Sequence, residues 1–382
     1  MNLLQAMNET LVLFRTGQAV VWSSGSGIGK SQGAWQLFQK MKADGEAKGE
    51  RWGCGIIFGA THTPPDVLGY MFKAERDIVV GIDAEGAPIT KKFTVTDPTM
   101  PLWMISTEGK PASTYDRFFL IIDEYGQTDP ETKKPLAEVL LNGGTSPWYL
   151  PHGSVRLALT NEGARYGVTK DFDFCIARRT KIEIHQDVDV LLQHLDKPYA
   201  HQGRQWTTMP VIKAWANANP TIVFEPEPPQ QGPWCNPRQL CAYDRYLQTK
   251  FEITGSQEVD GQSLEVGAGT IGMAATASIA AHLQFRLQLP SYDDVVADPA
   301  GADVPSRADL QMLMAYELAG HSKTNDLAAL IQYVNRLPKD MGVTYISALL
   351  RRDYRGMINT PAMQAWINKN ASLVAIIASL SN

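Results

Sequence analysis

Between Gln18 and about His194, short apolar runs alternate with stretches of helical spacing. Ala19 to Trp22, Cys54 to Phe58, Phe118 to Ile122, Ser154 to Leu159 and Thr180 to Ile184 have strand length, and Lys30 to Met41, Pro65 to Tyr70 and Glu131 to Leu141 read as helices between them. Strands alternating with helices predict an α/β fold on a parallel sheet. One stretch breaks the pattern: Ile78 to Ile82, a turn-forming Asp83-Ala84-Glu85-Gly86, and Ile89 to Val95 read as an inserted β-hairpin. A Pro-rich segment, Glu225 to Pro233, interrupts the part beyond residue 205. After it the pattern is helical, with Arg238 to Thr249, Ile271 to Leu287, Asp309 to Ala319 and Asp326 to Arg336 as helices. The expected organisation is an α/β domain over 1–205 and an α-helical lid with C-terminal helices over 206–382.

The first candidate chemistry sits between the first strand and the first helix, in Ser24-Gly25-Ser26-Gly27-Ile28-Gly29-Lys30-Ser31. Polyphosphate needs a curved row of backbone N–H donors, and glycine allows the dihedrals that turn several amides inward. Strand, Gly-rich loop and helix in this order predict a P-loop, with Lys30 on the β- and γ-phosphates of ATP and the Ser31 hydroxyl on Mg²⁺. In the strict G-x-x-x-x-G-K-[ST] pattern the first glycine falls on Ser24, so Gly25 and Gly27 must keep the loop permissive. The run Arg117 to Ile122 ends in Asp123-Glu124, as a strand covered on both faces reads when it carries carboxylates at its end. Asp123 is expected to hold the Mg²⁺ shell and Glu124 to orient or deprotonate the attacking water.

Composition narrows the picture. With 35 Lys and Arg against 40 Asp and Glu the net charge is −5, which offers little non-specific attraction to nucleic acid. The four cysteines form no C-x-x-C pair and read as reduced thiols. The longest apolar stretches, Ile271 to Leu283 and Leu373 to Leu380, are too short to span a bilayer, and the opening segment lacks a basic leader region. These features predict a soluble, cytoplasmic protein of two domains.

Further candidates lie downstream. Asn161 closes the strand-like run from Val155, where a polar residue can position the attacking water or simply cap a turn. Arg178 and Arg179 follow the helical Phe172 to Ala177, and an arginine here suits a finger that reaches a neighbouring subunit's γ-phosphate. In this order the motifs resemble the MoxR-like branch of the AAA+ ATPases, over about Gln18 to Leu247. Asp123 to Glu138 is similar to that family's acidic strand and the helix after it, and His62 to Gly69 to its Pro-x-Asp-h-x-Gly turn. Leu150-Pro151 before Val155 to Asn161 resembles the approach to sensor 1. Ile176-Ala177-Arg178-Arg179 stands where the family has Leu-Asp-Arg-Phe, which assigns the finger to Arg178 with Arg179 as the alternative. Asn236-Pro237-Arg238 resembles Ser-Pro-Arg at the start of a lid helix and makes Arg238 the sensor 2 candidate, contacting the γ-phosphate.

The resemblance implies an AAA+ P-loop core with a parallel sheet between helices, and an ATP- and Mg²⁺-dependent ATPase. It also implies a homo-oligomeric ring, expected to be a hexamer, that remodels a protein client with a partner carrying a von Willebrand factor A domain. The inserted hairpin is the expected contact point. A motor or loader on nucleic acid shares the same core and is the second reading, with Lys91-Lys92 or Lys133-Lys134 as its basic loops. A nucleotide-stabilised assembly subunit is a third, against which the Asp123-Glu124 pair argues. Beyond Leu247 no motif carries recognisable chemistry, and packing helices are expected.

Overall fold

All five expected strands form one parallel sheet in the computed structural model, which describes residues 1–161, 167–224 and 232–370. In chain order the first unit, Met1–Gln186, runs through Leu3–Arg15 (α1), Ala19–Ser24 (β1), Lys30–Glu46 (α2), Trp52–Phe58 (β2) and Pro64–Leu68 (α3). Met71–Ile82 (β3), Pro88–Pro98 (β4), Arg117–Asp123 (β5) and Pro130–Asn142 (α4) follow. The short strands Gly144–Thr145 (β6) and Trp148–Tyr149 (β7), then Val155–Asn161 (β8), Asp173–Ile176 (α5) and Arg179–Glu183 (β9), complete it. The sheet order is β2-β5-β8-β1-β9.

The central strands are apolar throughout because both faces are covered. Val20, Trp22, Phe119, Ile121, Leu157 and Leu159 face Phe14, Ala34, Leu37 and Phe38 of α1 and α2. Val21, Phe118, Leu120, Ile122 and Ala158 face Val67, Leu136, Val139 and Leu140 of α3 and α4. Helix α1 has no counterpart in the sequence reading. It buries Ala6, Thr10 and Phe14, flanks them with the partly buried Leu3, Met7, Leu11 and Leu13, and Thr10 Oγ1 accepts from Trp22 Nε1 at 2.8 Å. Among the described residues, strands β3 and β4 pair only with each other and form the expected hairpin, longer at both ends than its apolar centre.

The second unit begins at Asp187, so the expected division at residue 205 falls inside it. Its elements are Val188–Leu195 (α6), Tyr199–His201 (β10), Arg204–Trp206 (β11), Pro210–Ala218 (α7), Pro220–Val223 (α8) and Pro237–Thr254 (α9). The rest is helical: Gly261–Ile271 (α10), Met273–Arg286 (α11), Tyr292–Ala297 (α12), Ala308–His321 (α13), Leu327–Val334 (α14), Lys339–Arg352 (α15), Tyr354–Ile358 (α16) and Pro361–Lys369 (α17). Leu191, Leu192 and Leu195 of α6 belong to this unit's core, with Trp215, Leu240, Leu313 and Tyr345. The helix expected from Ile271 starts two residues later, because Gly272 takes φ +85° and separates α10 from α11. Most of the Pro-rich segment (225–231) and the apolar stretch from Leu373 lie outside the described residues. Among the described residues no helix is long and apolar enough to cross a membrane. All four cysteines are buried and unbridged.

The helical unit buries a carboxyl group with only partial compensation. Asp244 is 0% exposed and accepts from Met209 N at 3.2 Å and Gln248 Nε2 at 2.8 Å. Burial outweighs these bonds and the nearby Lys213 and Arg245 charges and pushes its carboxyl up to about 7. A raised folded-state value means the native protein keeps a proton that the unfolded chain releases above about pH 4, so raising the pH from about 4 to 7 favours unfolding. Asp244→Asn is therefore expected to gain stability relative to wild type across that window, by up to about 4 kcal/mol at pH 8. Thermal unfolding of both proteins from pH 5 to 8 checks this, and a pH-independent difference would contradict it.

Candidate functional site

The parallel register sets the site. Ser24 pairs with Asn161 across β1 and β8, and Asp123 ends the next strand, β5. The C-terminal ends of all three therefore lie along one edge of the sheet, where ligands of open α/β sheets bind.

The loop from Gly25 to Gly29 leaves this edge and enters α2. Gly27 (φ +80°) and Gly29 (φ +92°) take left-handed dihedrals that a side chain would strain. Ser24 is the last residue of β1 and keeps a negative φ, so its position makes no demand for glycine. Gly29 caps α2 without a side-chain hydrogen bond, which leaves the first-turn amides open to an anion. Ser26 and Ile28 are half-buried, and Ile28 packs on the core beneath. Lys30 Nζ folds back over the loop and donates to Ser24 Oγ at 2.7 Å, Gly25 O at 2.9 Å and Asn161 Oδ1 at 2.8 Å. These partners are neutral oxygens, which a polyphosphate would outbid electrostatically.

On the other side of the loop, Ser31 Oγ donates to Asp123 Oδ2 at 2.7 Å, and Asp123 Oδ1 accepts from Glu124 N at 2.9 Å. A hydroxyl and a carboxylate in contact are the hard oxygen donors that suit Mg²⁺, which takes one or two protein ligands and phosphate oxygens. Glu124 is exposed in a left-handed conformation (φ +55°, ψ +31°), unusual for a residue with a side chain. Its carbonyl accepts from Gln127 N at 3.0 Å, and a Cβ on Gly59 would lie 3.0 Å from that same oxygen. Among the described residues its carboxylate has no hydrogen-bond or ion-pair partner.

The two arginines separate cleanly. Arg179 opens β9 with its side chain 5% exposed and paired with Asp171. Arg178 is exposed, and among the described residues its guanidinium bonds to nothing, including Lys30, Ser31, Asp123 and Glu124. Arg238 stands exposed in the first turn of α9, whose cap Asn236 accepts from Gln239 N at 3.0 Å. The His62 to Gly69 turn shapes the backbone at the base of the hairpin. Asp66 accepts from Thr63 N and Oγ1 at 2.8 and 2.6 Å, bonds that hold its carboxyl below the usual range. Gly69 (φ +90°) passes so close to Thr99 O at the hairpin base that a Cβ would lie 2.0 Å away.

One expectation changes. Lys133, read as half of a surface basic pair, is buried against Asp171 at 2.8 Å and is withdrawn from any phosphate backbone, while Lys134 stays exposed. Asp171 itself is silent in the sequence, since a lone carboxylate in a polar stretch carries no motif.

No family model matches the chain, and no curated protein matches it. Among solved structures, a protein assigned as an ATPase from Cytophaga hutchinsonii aligns at 12% identity over 70% of this chain and 80% of its own, with a TM-score of 0.32. The ORC2 protein of Aeropyrum pernix, solved in ADPNP and ADP complexes, aligns at 12% identity over 96% and 94%, with a TM-score of 0.40. Neither likeness is close enough to transfer an activity.

The turn that carries Glu124 depends on a small residue two positions on. A Cβ on Gly126 would lie 2.0 Å from Thr160 Oγ1 and 3.2 Å from Val168 Cγ1. Gly126→Ala is expected to cost about 1–3 kcal/mol by overpacking, and adding Thr160→Ala should recover most of it. Thermal unfolding of the single and double variants checks this; a harmless Gly126→Ala would contradict the packing described.

Proposed function

We propose that the chain is an ATPase of the MoxR-like AAA+ type, which hydrolyses ATP at sites shared between adjacent copies of a ring. The observation that carries this is the split of the machinery. Lys30, Ser31, Asp123, Glu124 and Asn161 converge at one sheet edge, whereas Arg178 stands exposed and, among the described residues, unpaired.

In this reading Lys30 exchanges the neutral oxygens of Ser24, Gly25 and Asn161 for the β- and γ-phosphates, and the loop amides with the start of α2 hold the remaining phosphate oxygens. Ser31 and Asp123 would hold Mg²⁺, which when bound would neutralise charge on the phosphate oxygens. Glu124, with its carboxylate free, accepts a proton from the water that attacks the γ-phosphate in line, and Asn161 orients that water once Lys30 has left its Oδ1. Arg178 of the adjacent copy stabilises the transition-state charge, and Arg238 contacts the γ-phosphate from the helical unit. The ring is a hexamer, and its cycle remodels a protein client together with a von Willebrand factor A domain partner in the cytoplasm. The hairpin supports a role in contact: it exposes Phe72, Ile78, Val79, Phe93 and Ile82 on two strands with no third, more than an isolated ribbon needs. A nucleic-acid motor is less well supported, since the burial of Lys133 leaves Lys91 and Lys92 as the intact basic pair.

Steady-state hydrolysis measured against protein concentration tests the reading. Specific activity should rise steeply as copies assemble, and Arg178→Ala should lose about 10³-fold in kcat. Glu124→Gln should bind ATP as wild type does and turn over at least about 10²-fold more slowly. A rate independent of concentration and untouched by Arg178→Ala would contradict a shared site.

A further inference from the structure

Behind Glu124, two buried cations meet one half-buried carboxylate. Asp171 takes Lys133 Nζ on Oδ1 at 2.8 Å and Arg179 Nη2 on Oδ2, with side-chain exposures of 1% for Lys133 and 5% for Arg179. Both cations lie over the ring of Tyr125, 5.2 Å and 5.6 Å from its centroid. Further bonds run parallel to these. Lys133 Nζ donates to Thr169 O at 2.7 Å, Thr169 N to Gly126 O at 2.8 Å, and Thr169 Oγ1 to Thr128 O at 3.0 Å.

Sequence position gives this cluster its meaning. Tyr125 follows Glu124 directly, and Arg179 follows Arg178 directly. The turn that holds the water-activating carboxylate and the segment that ends in the exposed arginine are therefore clamped into one body. Stability alone is a poor reason for the clamp, because well-packed apolar residues of similar volume usually do as well as a buried ion cluster or better. Nor is the cluster closed: Arg179 Nη1 is buried with no hydrogen-bond partner among the described residues, and one carboxylate faces two cations. Such a network favours registry between two elements over stability.

We propose that Lys133, Asp171, Arg179 and Tyr125 are positioning residues that couple a copy's own nucleotide site to the arginine it lends to its neighbour. The inference rests on the shared-site reading above. A change at Glu124 when ATP arrives moves the Tyr125 turn, the cluster carries the movement to Arg179, and Arg178 takes up or leaves its position on the adjacent copy. An empty copy is then a poor lender of its arginine. Arg179 acts through the cluster and does not itself reach a phosphate.

Doping wild-type rings with Lys30→Ala copies, which cannot hold nucleotide, tests this. At equal amounts, coupling should leave about a quarter of the wild-type rate, because an active site needs a loaded copy and a loaded lender; without coupling about half remains. The apolar triple variant Lys133→Met, Asp171→Leu, Arg179→Met should hydrolyse ATP alone and return the doping curve to proportional loss. Tyr125→Leu, which keeps the ion pairs and removes the ring, should shift it the same way and serves if the triple variant does not fold. Proportional loss in wild type, or a steep curve in a folded cluster variant, would overturn the coupling. If Arg178→Ala and the folded triple variant are both as active as wild type, the shared site fails instead. If Arg178→Ala is active while the folded triple variant is inactive, Arg179 is the finger and the positioning role is wrong.

Discussion

Everything at the site depends on the parallel pairing of β1 with β8 and of β8 with β5. Parallel strands bring their C-terminal ends to the same edge, so Ser24, Asn161 and Asp123 meet although the chain between them includes a hairpin and several helices. The pairing survives because apolar residues fill both faces of these strands, and a register slip would turn core positions toward the wrong layer. Lys30 then spans from β1's end to β8's, and Ser31 from α2 to β5. A loop rich in glycine is thereby joined, through Lys30 and Ser31, to the ends of all three strands.

Among the described residues, Lys30 is the cation hydrogen-bonded between the ends of β1 and β8. The two arginines read as finger candidates, Arg178 and Arg179, are divided between an exposed position and one whose side chain is buried. That division makes sense when one arginine acts on another copy and the other fixes where it stands. Tyr125 and Lys133 extend the logic backward to the left-handed turn at Glu124, a strained conformation held by its surroundings.

Much of this was legible in the sequence for a physical reason. Runs such as Phe118 to Ile122 are unambiguous because burial on both faces removes the polar alternation that would confuse them. The meeting of the loop glycines, the Asp123-Glu124 pair and Asn161 at one edge was legible because each closes or follows an apolar strand run of the parallel sheet. Helix α1 carries its own signal, Leu3, Met7, Leu11 and Phe14 at helical spacing on the core, which the alternation beginning at Gln18 does not include. The break at Gly272 was hidden inside an apolar run, where one residue in a left-handed conformation decides the outcome. Lys133 was misread for a related reason: a lysine's burial depends on a partner such as Asp171, which local patterning cannot locate. The unit boundary shifted because α6 packs by tertiary contact into the helical core.

Mixing two inactive variants addresses the shared site most directly. On the proposed reading, Glu124→Gln copies should bind ATP and lend Arg178, and Arg178→Ala copies should keep a complete pocket but be unable to lend the arginine. Combined in equal amounts, they should recover about a quarter of the wild-type ATP hydrolysis, as random assembly of a ring requires, although each is inactive alone. A mixture that stays inactive while both variants assemble, or an Arg178→Ala protein already active by itself, would contradict a site completed by the neighbouring copy.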